Sequence, residues 1–475
     1  MQTKLSPEFS NTPQGIDAEA ILRSCVHCGF CNATCPTYQI LGDELDGPRG
    51  RIYLIKQLLE GSEVGRSTQQ HLDRCLTCLA CETTCPSGVQ YGKLVSIGRA
   101  LVEERVRRPW RERLQRWALK EGLTSSLFGP ALRLGRSVQR MLPAPMRKYV
   151  SAPRAPGRAA EAGRAVEAER AVEVGGAAAV GRAAEGGGAA KTSRLAEPRG
   201  AVPMFAPRHP AGWPQGSHER KVLLLAGCVQ PAMMPNINGA TARVLDAAGI
   251  QALVAAGAGC CGALRDHLSD HEGSLADARR NIDAWWPLVA ADAVEAIVMN
   301  ASACGLAVKQ YGETLRHDPG YAAKAARISA MACDVSELLP ELLPKLVPLL
   351  EARPRIGQRL TFHAPCTLQH GQRLRGGVEA HLALLGFDVH VAASEGHLCC
   401  GSAGTYSVLQ PALARELRDR KLAHLTASSP RCIVSANIGC IQHLQSGTDV
   451  PVRHWIEVLD ESLGTPAAAV ARSES

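Results

Sequence analysis

The C-terminal half of the chain alternates short apolar runs with longer stretches of helical periodicity. KVLLLAG (residues 221–227) ends at Cys228, a helical pattern runs from Asn236 to Ala248, and a second apolar run from Ile250 to Ala255 precedes Cys260-Cys261-Gly262. Another helical stretch leads into VEAIVMN (residues 294–300) and on to Cys304. The order then returns: Arg359 to Phe362 before Cys366, Phe387 to Val391 before Cys399-Cys400-Gly401, and Cys432 to Ser435 before Cys440. Cys228 to Cys260 is 32 positions and Cys366 to Cys399 is 33; Cys261 to Cys304 is 43 and Cys400 to Cys440 is 40. Strand-length runs alternating with helical patterns predict parallel sheets flanked by helices. The expected architecture is a tandem pair of α/β repeats, 221–310 and 359–475 (the second including a C-terminal tail), joined by connecting helices over 311–358. Ligands gather beyond the carboxyl ends of parallel strands, so each repeat is expected to bring its thiols to one sheet edge.

The N-terminal half reads differently. Residues 1–98 hold two compact cysteine runs, separated by GPRGRIYLIKQLLEG (Gly47 to Gly61), a loop entering an amphipathic helix. Residues 99–150 form a basic helical segment, with thirteen Lys/Arg against four acidic residues. Residues 151–220 are mostly Ala, Gly, Arg, Glu and Pro. They lack the large apolar side chains that offset ordering entropy and read as a flexible linker.

The 18 cysteines change the picture most. The N-terminus, MQTKLSPEFSN, lacks the charged-then-apolar layout of a signal peptide, and no run approaches the roughly 18 apolar residues of a membrane span. A cytoplasmic chain is expected, and there clustered cysteines bind metal or do redox work rather than form disulfides. Cys25-Val-His-Cys28-Gly-Phe-Cys31-Asn-Ala-Thr-Cys35-Pro36 and Cys75-Leu-Thr-Cys78-Leu-Ala-Cys81-Glu-Thr-Thr-Cys85-Pro86 both fit C-x₂-C-x₂-C-x₃-C-P. In two-cluster ferredoxins the first three thiolates wrap one cube and the fourth crosses to the other. Cys25, Cys28, Cys31 and Cys85 are thus expected to hold one [4Fe–4S] cluster, and Cys75, Cys78, Cys81 and Cys35 its partner. Paired C-x₂-C zinc sites would leave the extra cysteine and the Cys-Pro unexplained. The helical spacer predicts an α-helical ferredoxin domain rather than the compact β kind. Arg49 and Arg51 read either as charges offsetting the clusters or as solvated surface arginines.

In the repeats, the functional reading is metal ligation by Cys228, Cys260, Cys261 and Cys304 and by Cys366, Cys399, Cys400 and Cys440. Small buried residues in tight loops are the alternative, and repetition at matched positions speaks against it. Cys333 and Cys432 fall outside the pattern and read as packing residues. His363, His370 and His397 lie nearby, as donors to a cluster sulfur, at a quinone site, or as hydrogen-bonded structural residues.

With LAGCVQP (225–231), NIDAWWP (281–287), PCTLQH (365–370), HLCCGSAGTY (397–406) and ANIGC (436–440) beside the paired motifs, the chain resembles the iron–sulfur subunits of bacterial glycolate oxidases (glycolate dehydrogenases). The resemblance covers nearly everything except residues 151–220. It includes two copies of the cysteine-rich "CCG" domain found also in heterodisulfide reductases. It implies that separate FAD-containing subunits oxidise glycolate to glyoxylate. This chain, without catalytic residues of its own, takes the electrons one at a time and passes them towards a quinone or another membrane acceptor. No flavin or nicotinamide fingerprint is found here. One departure stands out: the wider CCG pattern ends in C-x-x-C, whereas Ala301 and Asn437 stand three before Cys304 and Cys440. A five-cysteine non-cubane cluster is therefore not expected, and a cubane cluster, partial filling or a bare docking scaffold stay open. Because substrate is chosen on the flavin subunit, an anaerobic glycerol-3-phosphate dehydrogenase or a lactate-utilisation complex is the nearest alternative. The net charge of +8 is mild. The basic segment suits peripheral contact with anionic lipid on the inner face of the cytoplasmic membrane. With no nucleic-acid-binding motif and 4% aromatic residues, a nucleic-acid-binding regulator is not expected.

Overall fold

Among the described residues, eight short strands build two parallel sheets with the same order. The computed structural model describes residues 1–125, 127–137, 213–352 and 359–464. The linker read over 151–220 lies outside these residues except for its last eight positions. The ends of the basic segment and of the C-terminal tail lie outside them too. In the first sheet β1 (Arg220–Leu224), β2 (Ile250–Leu253), β3 (Ala296–Met299) and β4 (Ala332–Asp334) run in the order β2-β1-β3-β4. In the second, β5 (Arg359–His363), β6 (Asp388–Val391), β7 (Cys432–Ser435) and β8 (Val452–His454) run β6-β5-β7-β8. Val222 pairs with Ala296 and Leu360 with Cys432, so matched strands lie at the centre of each sheet. Helices cover both faces, which is why the central strands are continuously apolar rather than alternating.

The first sheet reaches into the segment read as connecting helices, because β4 pairs with β3. β4 and β8 are three residues each, too short to carry an apolar signature. Each ends in a residue whose side chain caps the following helix: Asp334 with Glu337, and His454 with Glu457, in reciprocal capping boxes. The repeats share one core, in which Leu224 and Ile237 of the first pack with Leu360, Trp455 and Leu459 of the second. Across it, Arg243 and Asp460 form a buried fork (Nη2 to Oδ2, 2.6 Å), and His454 Nε2 donates to the Asn300 carbonyl at 2.8 Å.

Among described residues 1–137 every element is helical. Pro48–Leu59 buries Ile52, Ile55, Leu58 and Leu59 in one cluster with Leu22 of Pro13–Ser24 and Leu94, Val95 and Val102 of Tyr91–Arg105. Proline opens the helices Pro13–Ser24, Pro36–Leu41 and Pro48–Leu59, where its missing N–H costs nothing. The helix Trp110–Thr124 buries none of its side chains. No helix of the described residues is long and apolar enough to cross a membrane.

Candidate iron–sulfur centres

The two ferredoxin-type motifs fold into matching loops. His27 and Gly29 in the first, and Thr77 and Leu79 at the same positions in the second, all take positive φ (60°, 88°, 50° and 61°). Such left-handed turns at non-glycine residues are uncommon. Here they curl each loop so that its three cysteines border one cavity, and Gly29 and Leu79 then start the short helices Phe30–Ala33 and Ala80–Thr84. Cys35 leaves its own motif at the mouth of Pro36–Leu41.

Cys25, Cys28, Cys31 and Cys85 line one cavity together with Pro48, Ile52 and Val89. Cys35, Cys75, Cys78 and Cys81 line a second, with Arg51 and Tyr91, and Cys81 also borders the first. The structure thus brings each fourth cysteine to the other motif. Burial, then the neighbouring Cys25, pushes the Cys31 thiol up to about 11, and Cys78 and Cys81 are raised well above the ordinary range, chiefly by burial. Thiols gathered in this way resist ionising together unless a cation takes the place of their protons. Four cysteines around each cavity therefore fit a cationic iron–sulfur core.

Cys75 is the exception. Burial pushes its thiol up, yet Arg51 and Arg99 outweigh burial and hold it low. Arg51 is 1% exposed. Its Nε donates to the His71 carbonyl at 2.7 Å, and Nη2 lies 3.2 Å from Thr37 Oγ1 and 3.5 Å from Asp46 Oδ1. Asp46 also receives Arg74 at 2.8 Å. Arg49 is half-buried against Glu44 (2.6 Å), its guanidinium covering Gly29, where a Cβ would fall 2.6 Å from Nη1. Neither arginine is merely solvated.

The second cavity abuts the second repeat. Cys78 packs in one apolar cluster with Leu76, Cys399, Tyr406 and Leu417, with Cys366 at its edge. Thr83 Oγ1 lies 2.9 Å from His370 Nδ1, His370 Nε2 lies 2.8 Å from the His397 carbonyl, and Tyr406 donates to the Arg74 carbonyl at 3.2 Å. The carbonyl fixes the proton on His370 Nε2, so Nδ1 accepts from Thr83. Burial lowers His370 to about 4 and keeps it neutral.

Within the repeats the expected thiols do converge. Cys366 and Cys399 Sγ atoms are 3.8 Å apart, Cys399 neighbours Cys400, and Cys400 neighbours Cys440. In the first repeat Cys228 and Cys261 neighbour Cys260, whose thiol is held low while theirs are raised, and Cys304 neighbours Cys261. The glycine after each pair is required. Gly262 (φ 90°) and Gly401 (φ 86°) are left-handed, and a Cβ would meet Ser274 Oγ at 2.8 Å or the Ala414 carbonyl at 2.5 Å. Cys333 and Cys432 sit in β4 and β7, outside both thiol groups.

Family profiles match in the same places. The "4Fe-4S dicluster domain" profile covers residues 21–89 and the "cysteine-rich domain" profile covers 222–309 and 360–445. The chain is 47% identical over 468 residues to the glycolate oxidase iron–sulfur subunit of Escherichia coli K12, covering 98% of this chain and 99% of that one. The chain belongs to the glycolate oxidase iron–sulfur subunit family. A Bacillus subtilis 168 protein named "Probable glycolate oxidase iron-sulfur subunit" is 27% identical over 94% of this chain and 95% of its own length. Lactate utilization protein A of Shouchella clausii is 24% identical over 50% of this chain and 98% of its own.

In this family member, several site residues were not singled out by the sequence reading. Tyr91 donates to Cys75 Sγ at 3.6 Å, and Arg99 Nη2 donates to the Cys75 carbonyl at 2.6 Å. Asn281, inside the NIDAWWP string, bolts the first paired-cysteine loop through Gly259 N–H (2.8 Å) and the Cys260 carbonyl (2.7 Å). Lys421 does the same for the second through the Glu395 carbonyl (2.6 Å). Each reaches its partner from a distant helix, and a helical lysine or asparagine carries no local signal of that contact.

Proposed function

We propose that this chain carries electrons within a glycolate oxidase, as an oxidoreductase subunit whose substrate is oxidised elsewhere. The observation that carries the reading is the exchange of fourth cysteines, which encloses two four-thiol cavities side by side. Cys25, Cys28, Cys31 and Cys85 hold one [4Fe–4S] cluster, and Cys75, Cys78, Cys81 and Cys35 hold the other. Such clusters supply one-electron steps, which a flavin can start from a two-electron donor. An FAD-containing partner oxidises glycolate to glyoxylate, and the electrons leave towards a quinone or another membrane acceptor.

The helix Trp110–Thr124 suits a membrane surface. At 100° per residue, Trp117, Trp110, Leu114 and Ala118 form one stripe, flanked by Arg113 on one side and Arg111 on the other, and Glu121 ends the same face in an ion pair with Arg265. Trp110, Leu114 and Trp117 are 67%, 54% and 58% exposed. Interfacial helices place tryptophan at headgroup depth with arginines beside it.

The test is anaerobic purification of the full chain with iron, sulfide and EPR measurements, followed by reduction through the flavin partner. About eight irons per chain and reduction by glycolate, but not by lactate or glycerol 3-phosphate, are expected. About four irons, or preference for another donor, would overturn the reading.

A further inference from the structure

Three buried donors from three separate elements converge beyond the carboxyl ends of β5 and β7. They are His363, the last residue of β5, Cys400 of the paired-cysteine loop, and Cys440 in the helix Ile438–Gln445. One ligand atom from each lies within 4.8 Å of the others, and the residues are 3%, 2% and 3% exposed. His363 Nδ1 lies 2.9 Å from the Ser435 hydroxyl, whereas Nε2 is buried without a hydrogen-bond partner. Leaving such a buried group unsatisfied is destabilising. A bound cation removes that cost.

We propose that His363, Cys400 and Cys440 bind one zinc-class divalent ion, in the second repeat alone. The inference goes beyond the electron-transfer reading and does not depend on it. Zinc bonds of about 2.3 Å to sulfur and 2.0–2.1 Å to nitrogen set tetrahedral donors roughly 3.5–3.8 Å apart, a separation these side chains reach by small rotations. Mixed imidazole and thiolate donors suit zinc, whereas ferredoxin-type cubane clusters take cysteines. The surrounding shell is in place: Ser435 bonds the far imidazole nitrogen, as partners of metal-bound histidines do, and Asn437 Nδ2 donates to Cys440 Sγ at 3.6 Å. Asn437 therefore serves the site from the position where the wider pattern has cysteine. The Lys421 ammonium neighbours Cys400 and offsets thiolate charge.

The first repeat is built otherwise. Leu225 stands three residues before Cys228, where His363 stands before Cys366, and the carboxylate of Asp277 rather than an ammonium neighbours Cys260. One ion per chain is therefore expected, not two. It ties β5, the loop and the helix together beside Cys399, which packs on Cys78 of the second cavity.

The test uses the full chain, purified anaerobically and dialysed against EDTA, with zinc and iron measured together. About one zinc per chain is expected. His363→Ala and Cys440→Ser should each lower retained zinc at least about tenfold with the ferredoxin EPR signals unchanged. His363→Cys, which restores a soft ligand, should keep it. Where a variant fails to fold, cobalt(II) added to the unaltered chain gives a thiolate charge-transfer band if the site exists. Absence of both zinc and that band would overturn the proposal, as would zinc retained by His363→Ala or lost from the first-repeat variant Cys304→Ser. Iron and EPR decide the electron-transfer reading separately, so either can fail alone.

Discussion

Replacing Arg51 by methionine removes a positive charge from the wall of the second cavity while keeping most of the side chain's length. Arg51 lines that cavity with Cys35, Cys75, Cys78 and Cys81. Taking its charge as about 6 Å from the cavity centre at an effective permittivity of about 20, Coulomb's law gives about 3 kcal/mol. Asp46 beside it cancels roughly half, leaving about 1–2 kcal/mol, or about 40–90 mV for one electron. The sign follows from charge: the reduced cluster is more negative, Arg51 stabilises it, and removing Arg51 lowers the potential. The assay is an EPR-monitored redox titration of both clusters, with iron content as the check on folding. Asp46 keeps Arg74 and His71 as partners, so the loss in stability should fall below the roughly 3–5 kcal/mol of an orphaned buried charge. Arg51→Lys keeps the charge and should shift little. An unchanged potential in the methionine variant would refute the reasoning, and so would an equal shift in both clusters or a shift in Arg51→Lys matching that in Arg51→Met.

Cys28→Ser should lose about four irons and electron delivery to the acceptor, and full activity with an unchanged iron count would remove Cys28 from the ligand set. Val26 and Phe30 flank Cys28 and are 68% and 61% exposed; Val26→Ser with Phe30→Ser should slow reduction by the flavin partner about tenfold or more, as loss of interface anchors does, with iron and EPR unchanged. Trp110→Ser with Trp117→Ser should weaken co-sedimentation with anionic vesicles about tenfold or more, and unchanged sedimentation would point to a protein partner on that helix. Deleting residues 155–200 should leave activity within about twofold if the segment is a linker, which failed assembly of the complex would contradict.

What was legible in the sequence was whatever local chemistry repeats. Six strands announced themselves as apolar runs, and the matched intervals of 32 and 33 positions marked the duplication. β4 and β8 did not, since Ala-Cys-Asp and Val-Arg-His contain too few apolar residues to register. The thiol groupings were legible from spacing, because short loops leave few ways to close. Arg51 was not: it sits at the polar start of an amphipathic helix and reads as surface until Asp46, Thr37 and His71 are folded around it. The Thr83–His370 contact joins residues 287 positions apart, and nothing near either residue signals the other. The basic character of residues 99–150 was visible too, but not that Trp110 and Trp117 turn outward, since an apolar helical stripe ordinarily predicts a buried face.

The two cavities differ in their exposure. The first opens beside exposed apolar residues, and Cys28 itself is exposed. The second has three of its four cysteines from a loop packed under the second repeat, where Leu76, Cys399 and Tyr406 exclude water and two polar contacts, Thr83–His370 and Tyr406–Arg74, cross the seam. An exposed centre exchanges electrons readily with a docked partner. A buried one is shielded from unproductive encounters, and its potential is set by fixed charges such as Arg51 rather than by solvent. The duplicated sheets contribute a rigid wall: their shared core and the buried Arg243–Asp460 fork leave the second repeat little freedom to move away from Cys78. Packing therefore leaves the first cavity accessible and the second shielded, and the paired-cysteine repeat supplies that shielding whether or not it holds iron.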